Sequence, residues 1–372
     1  MRQRGIHLQY SFETDGQRGA DVTNPLFDLL SAVGQHGSIR HASLALGASY
    51  RHVWGQLKHW EEVLGEALVV WTQGQPARLT PFAERLLWAE RRARTRLTPH
   101  IEALRAELER VLTEAFDGSQ QVLTMFASHD LALPQLRELA SAGHGLHIDL
   151  RFAGSIEGLR ALAQGRCLVA GFHVPRLPGG SPVFAQALKP LLEPGRHKLI
   201  GCMRRMQGLI VARGNPLAVA GVADLARPGV RFVNRQAGSA TRLLMDHLLQ
   251  VAQLDPAAVP AWLDHAEDSH VAVAAAVASG LADAGPGTQA AAASFGLGFV
   301  PLIDEDYFLV CLKESLEQPP VQRLRELLAG GEWPQALARL PGYAPMRCGE
   351  VLSLTQALPW WRFRTPKAAA VG

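Results

Sequence analysis

The chain holds no acidic residue between Asp28 and Glu61. That window carries Arg40, Arg51, Lys58 and the histidines His36, His41, His52 and His59, so nothing in it repels a phosphate backbone. Cysteine is scarce: Cys167, Cys202, Cys311 and Cys348 stand far apart, with neither a CxxC pair nor a zinc spacing. Such usage excludes a disulfide framework and a structural metal and suits free thiols in a reducing compartment. No apolar run approaches the roughly 18 residues of a membrane span. The opening MRQRGIHLQYSFETDGQRGADVTN is too polar for a signal peptide, so a cytoplasmic chain with no membrane partner is expected. Enzyme signatures are missing as well: there is no G-x-S-x-G elbow, phosphate-binding GKS/T loop, G-x-G-x-x-G turn or H-E-x-x-H helix. Ser128-His129-Asp130 holds the residue types of a nucleophilic triad, yet three neighbours on one turn do not converge as a triad must. No catalytic residue, metal or cofactor is expected.

What is present supports a globular chain of two or three domains. Hydrophobic residues make up 48% of 372 positions and charged residues 19%, enough to bury sizeable cores. Net charge is only +3, so the basic character is local, concentrated in the acid-free window. There, GSIRHASLALGASYRHVWGQLKHWEEVLG reads as two short helices around a tight turn. Ile39, Ala42, Leu44 and Leu46 give the first an apolar side, and Gly47 stands where a left-handed residue ends it. Ser49 caps the second, whose Val53, Trp54, Leu57, Trp60 and Leu64 recur at threes and fours and pack inward. Tyr50, Arg51, His52, Gln56 and Lys58 fall on other faces. With Ser38, Arg40 and Ser49 they form the expected contact set for double-stranded DNA. LVVWTQGQPARLTP then reads as strand, turn and return strand, a wing carrying Arg78. An ordinary helical hairpin with a solvated basic face is the alternative for the pattern alone.

From Pro81 a long charged helix follows, with Leu86, Ala89, Ala93, Leu97, Ile101, Leu104 and Leu108 as a narrow apolar seam that wants a partner. Pro99 is placed to break or kink it. The segment over 24–113 resembles the winged helix-turn-helix of the molybdate-responsive ModE-type regulators and, more distantly, that of the LysR family. Gly37-Ser38, Ser49-Tyr50, Trp54 and Leu79-Thr80 carry the resemblance, while TQGQP at 72–76 lacks the run of glycines associated with ModE-type wings. The resemblance implies a homodimer paired through the long helix, presenting two recognition helices to half-sites of operator DNA.

Beyond 117–119 the pattern changes. Strands at 122–127, 146–152 and 167–172 alternate with helices at 131–140 and 156–164, a βαβαβ order that predicts a parallel sheet. The alternation resumes at 209–212 and 231–234, with helices at 240–251 and 271–278, so two lobes are expected, with crossovers around 204–208 and 301–307. The cleft between them is lined by strand-to-helix corners: Ser128 and His129, Ser155, His173, Arg235 with Gly238, Ser239 and Thr241, and Thr288 after Gly285-Pro286-Gly287. Each corner offers helix-terminal N–H groups or a hydroxyl, the chemistry of an anion pocket, and Arg235 adds a full charge. Taken singly, Ser155 and Ser239 read equally well as N-caps and His173 as a core histidine.

NRQAGSATRLLMDHLL and ADAGPGTQAAA look like parts of the periplasmic-binding-protein-like ligand domain found behind such winged helices, over 120–345. That likeness implies a small oxyanion effector, molybdate or tungstate first. No tandem β-barrel segment of the kind that usually holds those oxyanions is visible, which leaves formate or another small carboxylate open. The expected architecture is an α+β winged helix-turn-helix with a long linker helix, followed by a two-lobed α/β periplasmic-binding-protein-like domain. Its divisions are an extension at 1–23, the winged helix-turn-helix at 24–82, the linker and dimerisation helix at 83–116, the effector domain at 117–345 and a tail at 346–372. A one-component transcription regulator is the expected function, with an anion-binding transport or storage protein as the alternative.

Overall fold

The computed structural model describes residues 25–71, 76–116, 121–177, 180–259 and 266–361. The expected extension at 1–23, the wing turn at 72–75 and the last part of the expected tail, 362–372, lie outside them. The chain falls into two compact units, Met1–Arg94 and Thr95–Gly372.

In the first unit, α1 (Pro25–His36), α2 (Ile39–Ala45) and α3 (Tyr50–Leu64) precede the short strands β1 (Val69–Val70) and β2 (Arg78–Leu79). Ser38 caps α2 by accepting from His41 N at 3.4 Å, and Ser49 caps α3 by accepting from His52 N at 3.2 Å. Gly47, at φ +62°, makes the left-handed turn between them, which a Cβ would strain. Val53 and Leu57 enter a core with Leu26, Leu30, Val33, Leu68 and Ala83, and Trp54, Trp60 and Leu64 pack half-buried at its margin. Leu44 and Leu46 depart from the sequence reading. They are 71% and 38% exposed, because the buried side of this seven-residue helix is Ile39, Ala42 and Ser43. β1 and β2 pair antiparallel, Val69 with Leu79 and Val70 with Arg78. Thr80 closes them: its hydroxyl donates to Ala67 O at 2.7 Å and accepts from Ala83 N at 3.1 Å, so the strand exit also caps the next helix, α4 (Pro81–Phe116). The helix runs through position 99, where the sequence placed a break or kink, without interruption.

The second unit opens with β3 (Gln121–Ala127), α5 (Leu133–Gly143), β4 (Leu146–Phe152), α6 (Ser155–Ala163) and β5 (Val169–Pro175). β3 pairs parallel with both β4 and β5, so the expected βαβαβ order is formed. Next come α7 (Pro182–Leu188), β6 (His197–Val211), β7 (Asn234–Arg235), α8 (Ala240–Val251), β8 (Ala266–Glu267) and α9 (His270–Ala278). They are followed by β9 (Ala284–Thr288), α10 (Gln289–Ser294), β10 (Gly298–Leu312), α11 (Pro319–Ala329), α12 (Glu332–Ala338), β11 (Tyr343–Pro345) and β12 (Val351–Leu352). The main path through the sheet is β11-β6-β10-β5-β3-β4. The strands of the first lobe are apolar along their length because cores cover both faces. One is built on Leu123, Leu150, Tyr307 and Trp333, the other on Phe172, Phe184 and Phe308. The second lobe has two smaller clusters, around Leu209, Phe232 and Met245 and around Ile210, Val233 and Val273.

The crossovers expected at 204–208 and 301–307 are made by continuous strands: β6 and β10, 15 residues each, run through both lobes as one antiparallel ladder, and β9 joins the far end of β6. Two other expectations are corrected. Gly285-Pro286-Gly287 lies inside β9 rather than in a corner, since a Cβ at Gly285 would meet Val273 and Val233 at 2.6 and 2.7 Å. The first part of the expected tail is core, because β12 pairs with β6 and buries Met346, Leu352, Leu354 and Leu358.

Candidate functional site

Each unit gathers polar chemistry in one place. At the start of α3, Tyr50, Arg51 and His52 are exposed; further along, Lys58 is exposed and Gln56 half-buried. Tyr50 stacks on Trp54 with 6.4 Å between centroids, and Lys58 Nζ lies 5.1 Å from the centre of the same indole. Lys58, still exposed, also donates to Glu61 Oε2 at 2.7 Å. Glu61 belongs to the scaffold: its other oxygen accepts from Leu68 N at 2.9 Å. Burial favours its protonated form, but Lys58 and the N–H groups of Leu68 and Val69 outweigh that and hold the carboxyl below its ordinary range. Ser38 and Ser49 are committed as caps. Among the described residues Arg40, Arg51 and Arg78 are exposed and have no carboxylate partner. These three cations are what the helix-turn-helix and wing present to a polyanion.

In the second unit, strand register assembles a buried cluster. Glu305 lies opposite Arg205, Tyr307 opposite His173 and Gln207 opposite Thr288. Alternation then puts Arg205 and Gln207 on one side of β6, and Glu305 and Tyr307 on one side of β10. Arg205 is fully buried; it donates through Nε to Glu305 Oε2 at 3.0 Å and through Nη1 to Asp130. Its Nη2 lies 3.0 Å from the same glutamate oxygen without the alignment of a hydrogen bond. Asp130 also accepts from the Tyr343 hydroxyl at 2.9 Å and from Ala132 N at 2.8 Å. Ser128 Oγ lies 3.2 Å from the Tyr307 hydroxyl and 3.4 Å from His173 Nδ1. From the second lobe, Arg235 donates to Glu267 O at 3.1 Å and Asp268 O at 2.6 Å, and its Nη1 is 3.1 Å from His270 Nδ1. The starts of α6 and α8 meet here, for a Cβ on Gly154 would lie 3.2 Å from Gly238 O.

Burial governs the protonation of this cluster. It pushes His129 down to about 4, with Arg235 adding to the effect, and takes His173 and His270 well below their ordinary value beside Arg205 and Arg235. All three imidazoles are neutral at pH 7. Burial and the Arg205 charge lower Arg235 to about 10, which leaves it charged. Burial opposes the charge on Arg205, yet Glu305 and Asp130 prevail and raise it. Several atoms deep in the cluster lack a hydrogen-bond partner: Ser155 Oγ, His173 Nε2, Arg205 Nη2, both amide atoms of Gln207, Asp268 Oδ1 and Glu305 Oε1.

The structure puts Ser128 in contact with His173, and Arg235 close enough for its charge to act on that histidine. Ser155 is not a cap; Gly154 caps α6, leaving the serine hydroxyl buried and unpartnered. Ser239 caps α8 by accepting from Arg242 N at 3.2 Å, and Thr241 is buried behind it. Gly238 makes that turn at φ +83°, and Thr288 caps α10 while meeting the Tyr343 hydroxyl. His129 packs on Phe152 with 4.5 Å between centroids. Sequence reasoning missed Arg205, Gln207, Glu305, His270 and Tyr343. For Arg205, Gln207 and Glu305 the signal was there in HKLIGCMRRMQGLIV and FVPLIDEDYFLVCL, where charged or amide residues interrupt apolar strands. Ser128, His173 and Glu305 stand in line, but His173 Nε2 is 3.7 Å from Glu305 Oε1 and burial lowers the proton affinity a general base needs. Asp130 of the Ser128-His129-Asp130 run points to Arg205 and Tyr343 instead.

The arrangement, a helix-turn-helix in one unit and a two-lobed α/β domain with a buried polar cluster in the other, is what two family profiles match. The profile of the bacterial regulatory helix-turn-helix proteins of the lysR family matches residues 26–84, and that of the PBP superfamily domain matches residues 136–329. The chain belongs to the PBP superfamily through the domain that fills half of it, joined to a helix-turn-helix of lysR type. Neither profile describes an enzyme. LysR, the more distant of the two likenesses drawn from the sequence, is the one whose profile matches. Among curated proteins, the uncharacterized YvgK of Bacillus subtilis is 35% identical over 202 residues, 54% of this chain and 64% of YvgK. The chain therefore spans less than two thirds of that relative. An uncharacterized protein from the 5′ region of the ferredoxin 2Fe-2S gene of Clostridium pasteurianum is 28% identical over 112 residues, 30% of this chain and 98% of its own length. Among solved structures, a hydrogen-peroxide-bound mutant of Corynebacterium glutamicum OxyR covers 84% of this chain and 92% of its own at 15% identity, with a TM-score of 0.43. Full-length BenM covers 84% and 96% at 17% identity and 0.41. Likenesses of that size carry nothing about this chain's chemistry. No helix among the described residues is long and apolar enough to cross a membrane.

Proposed function

We propose that the chain is a one-component regulator of transcription. The helix-turn-helix binds duplex DNA through the start of α3, with Arg51 reading bases and Arg40 and Arg78 meeting phosphates. The PBP-superfamily domain takes up a small anion between its lobes, and lobe closure changes DNA binding. Two copies pair through α4, whose Leu97 and Leu104 are 37% and 47% exposed in the single chain. The observation that carries the reading is the cleft cluster: fully buried polar atoms without internal partners, beside Arg235 and the start of α6, are costly unless a ligand meets them. Molybdate and tungstate are the first probes, with formate next.

Selection of bound duplexes from a random library tests the DNA half. A single two-fold sequence should be enriched by the wild type and lost with Arg51→Ala. Enrichment of no sequence, or the same enrichment by both proteins, would overturn it. Calorimetry with the anions tests the other half independently.

A further inference from the structure

The unpartnered atoms of the cleft are of both kinds. Arg205 Nη2 and Gln207 Nε2 are donors, Glu305 Oε1, Gln207 Oε1 and Asp268 Oδ1 are acceptors, and the Ser155 hydroxyl and His173 Nε2, the latter 3.7 Å from Glu305 Oε1, can serve as either. Gln207, Arg205 and Glu305 are wholly buried, so water does not serve them as it would at a surface. Charge is unevenly placed. Arg205 is in contact with two carboxylates, Asp130 and Glu305, whereas Arg235 bonds to two backbone carbonyls and lies against the neutral His270, with no carboxylate in salt-bridge contact among the described residues; Asp268, Glu305 and Glu267 act on it from farther away. The Arg235 guanidinium is therefore the place for an anionic group, and a set of acceptors lies beside it.

We infer that the ligand is a small anion carrying a hydrogen-bond donor of its own, such as hydrogen phosphate, a hydroxy acid or an amino acid, rather than a fully ionised tetraoxyanion or a plain carboxylate. The inference rests on the reading of the cleft as an anion site. A tetraoxyanion such as sulfate or molybdate offers lone pairs alone. Set against Glu305 Oε1 and Gln207 Oε1, it would leave acceptor facing acceptor in a buried site. Burial favours the protonated form of Glu305 and Arg205 the ionised form, yet in either case Gln207 Oε1 and Asp268 Oδ1 still ask for a donor. The ligand's anionic end belongs at Arg235 and the Ser155 hydroxyl at the start of α6. Its O–H or N–H belongs at Glu305 and Gln207.

Matched probes separate the possibilities. The full chain is titrated calorimetrically at pH 7 with phosphate against sulfate and molybdate, and with glycolate and glycine against acetate. The donor-bearing member of at least one set should bind about tenfold or more tighter than its donor-free counterparts. Glu305→Gln, which supplies a donor of its own, should narrow that gap. Should Glu305→Gln not fold, Ser155→Ala provides the check: it removes one donor, so it should weaken both members of the set alike and keep the preference. If sulfate, molybdate or acetate binds as tightly as its donor-bearing counterpart, the inference falls while the anion site stands. If no probe of either kind binds the wild type, the inference and the anion site fall together.

Discussion

Two sets of arginines, three exposed ones in the first unit and two buried ones in the second, live under opposite conditions. Arg40, Arg51 and Arg78 project into water, where ionic strength screens them beyond about 8–10 Å and each acts nearly alone. Arg205 and Arg235 are enclosed, so every charge and lone pair around them must be answered by a named neighbour. The same residue type is thus replaceable without structural loss in one unit and part of the scaffold in the other. A net charge of +3 for the whole chain hides this difference. In the first unit the charge faces a partner still to come; in the second it is nearly all spoken for.

The severest way to test the contrast is Arg205→Leu. It leaves Asp130 and Glu305 buried without their cation, and chemical denaturation should show the second unit destabilised by about 3–5 kcal/mol. A smaller loss than that of an exposed arginine would break the comparison. Acidification probes the same enclosure. His129, His173 and His270 have folded-state values below the unfolded value, so their contribution to stability is complete above about pH 6.5. It is lost as pH falls toward the folded values, about 4 for His129. Melting of the full chain followed from pH 7 to 4 should show the second unit's transition falling through that window, and His129→Gln should flatten the fall. Arg235→Ala is expected to weaken binding of the cleft's anion by roughly ten- to a hundred-fold, leaving DNA affinity in the absence of ligand unchanged. Calorimetric binding equal to wild type would place the anion elsewhere. On the exposed side, Arg51→Ala should cost about 1–3 kcal/mol of operator affinity with no change in melting temperature. Lys58→Ala is the mildest, since its contact with Glu61 is a surface pair worth about 0.2–0.5 kcal/mol. Its gel-shift affinity should fall by less than that of Arg51→Ala.

The helix-turn-helix was legible because its signals are local. Gly47 and Ser49 each determine a turn or cap within four residues, and the structure uses them so, with Ser38, read only as a DNA contact, capping α2 in the same way. Helix starts in the second unit were legible in part for the same reason: Ser239, read as a cap or a ligand group, caps α8, while Thr288, read only as a ligand group, caps α10. The cleft was only half legible. Ser128 and Arg235 stand at strand ends, where pattern points, whereas His173, read as following its strand, lies inside β5 opposite Tyr307. Arg205 and Glu305 lie in mid-strand, and what makes them a pair is the register of two segments 100 residues apart. No local rule encodes that register. Leu44 was misread because a seven-residue helix offers too few turns for spacing to say which side is buried.

The paired strands β6 and β10 have a mechanical consequence. Because the lobes are joined by a hydrogen-bonded ribbon rather than by free linkers, swinging them apart must flex that ribbon, and the strain falls where its pairing is already irregular. Those places are the register shifts at Pro301/Ile303 and Tyr307/Phe308, which bracket Glu305. The amide protons of Asp304, Glu305 and Asp306 therefore form a natural clock for lobe motion, and their exchange with deuterated solvent should slow whenever the cleft is held shut.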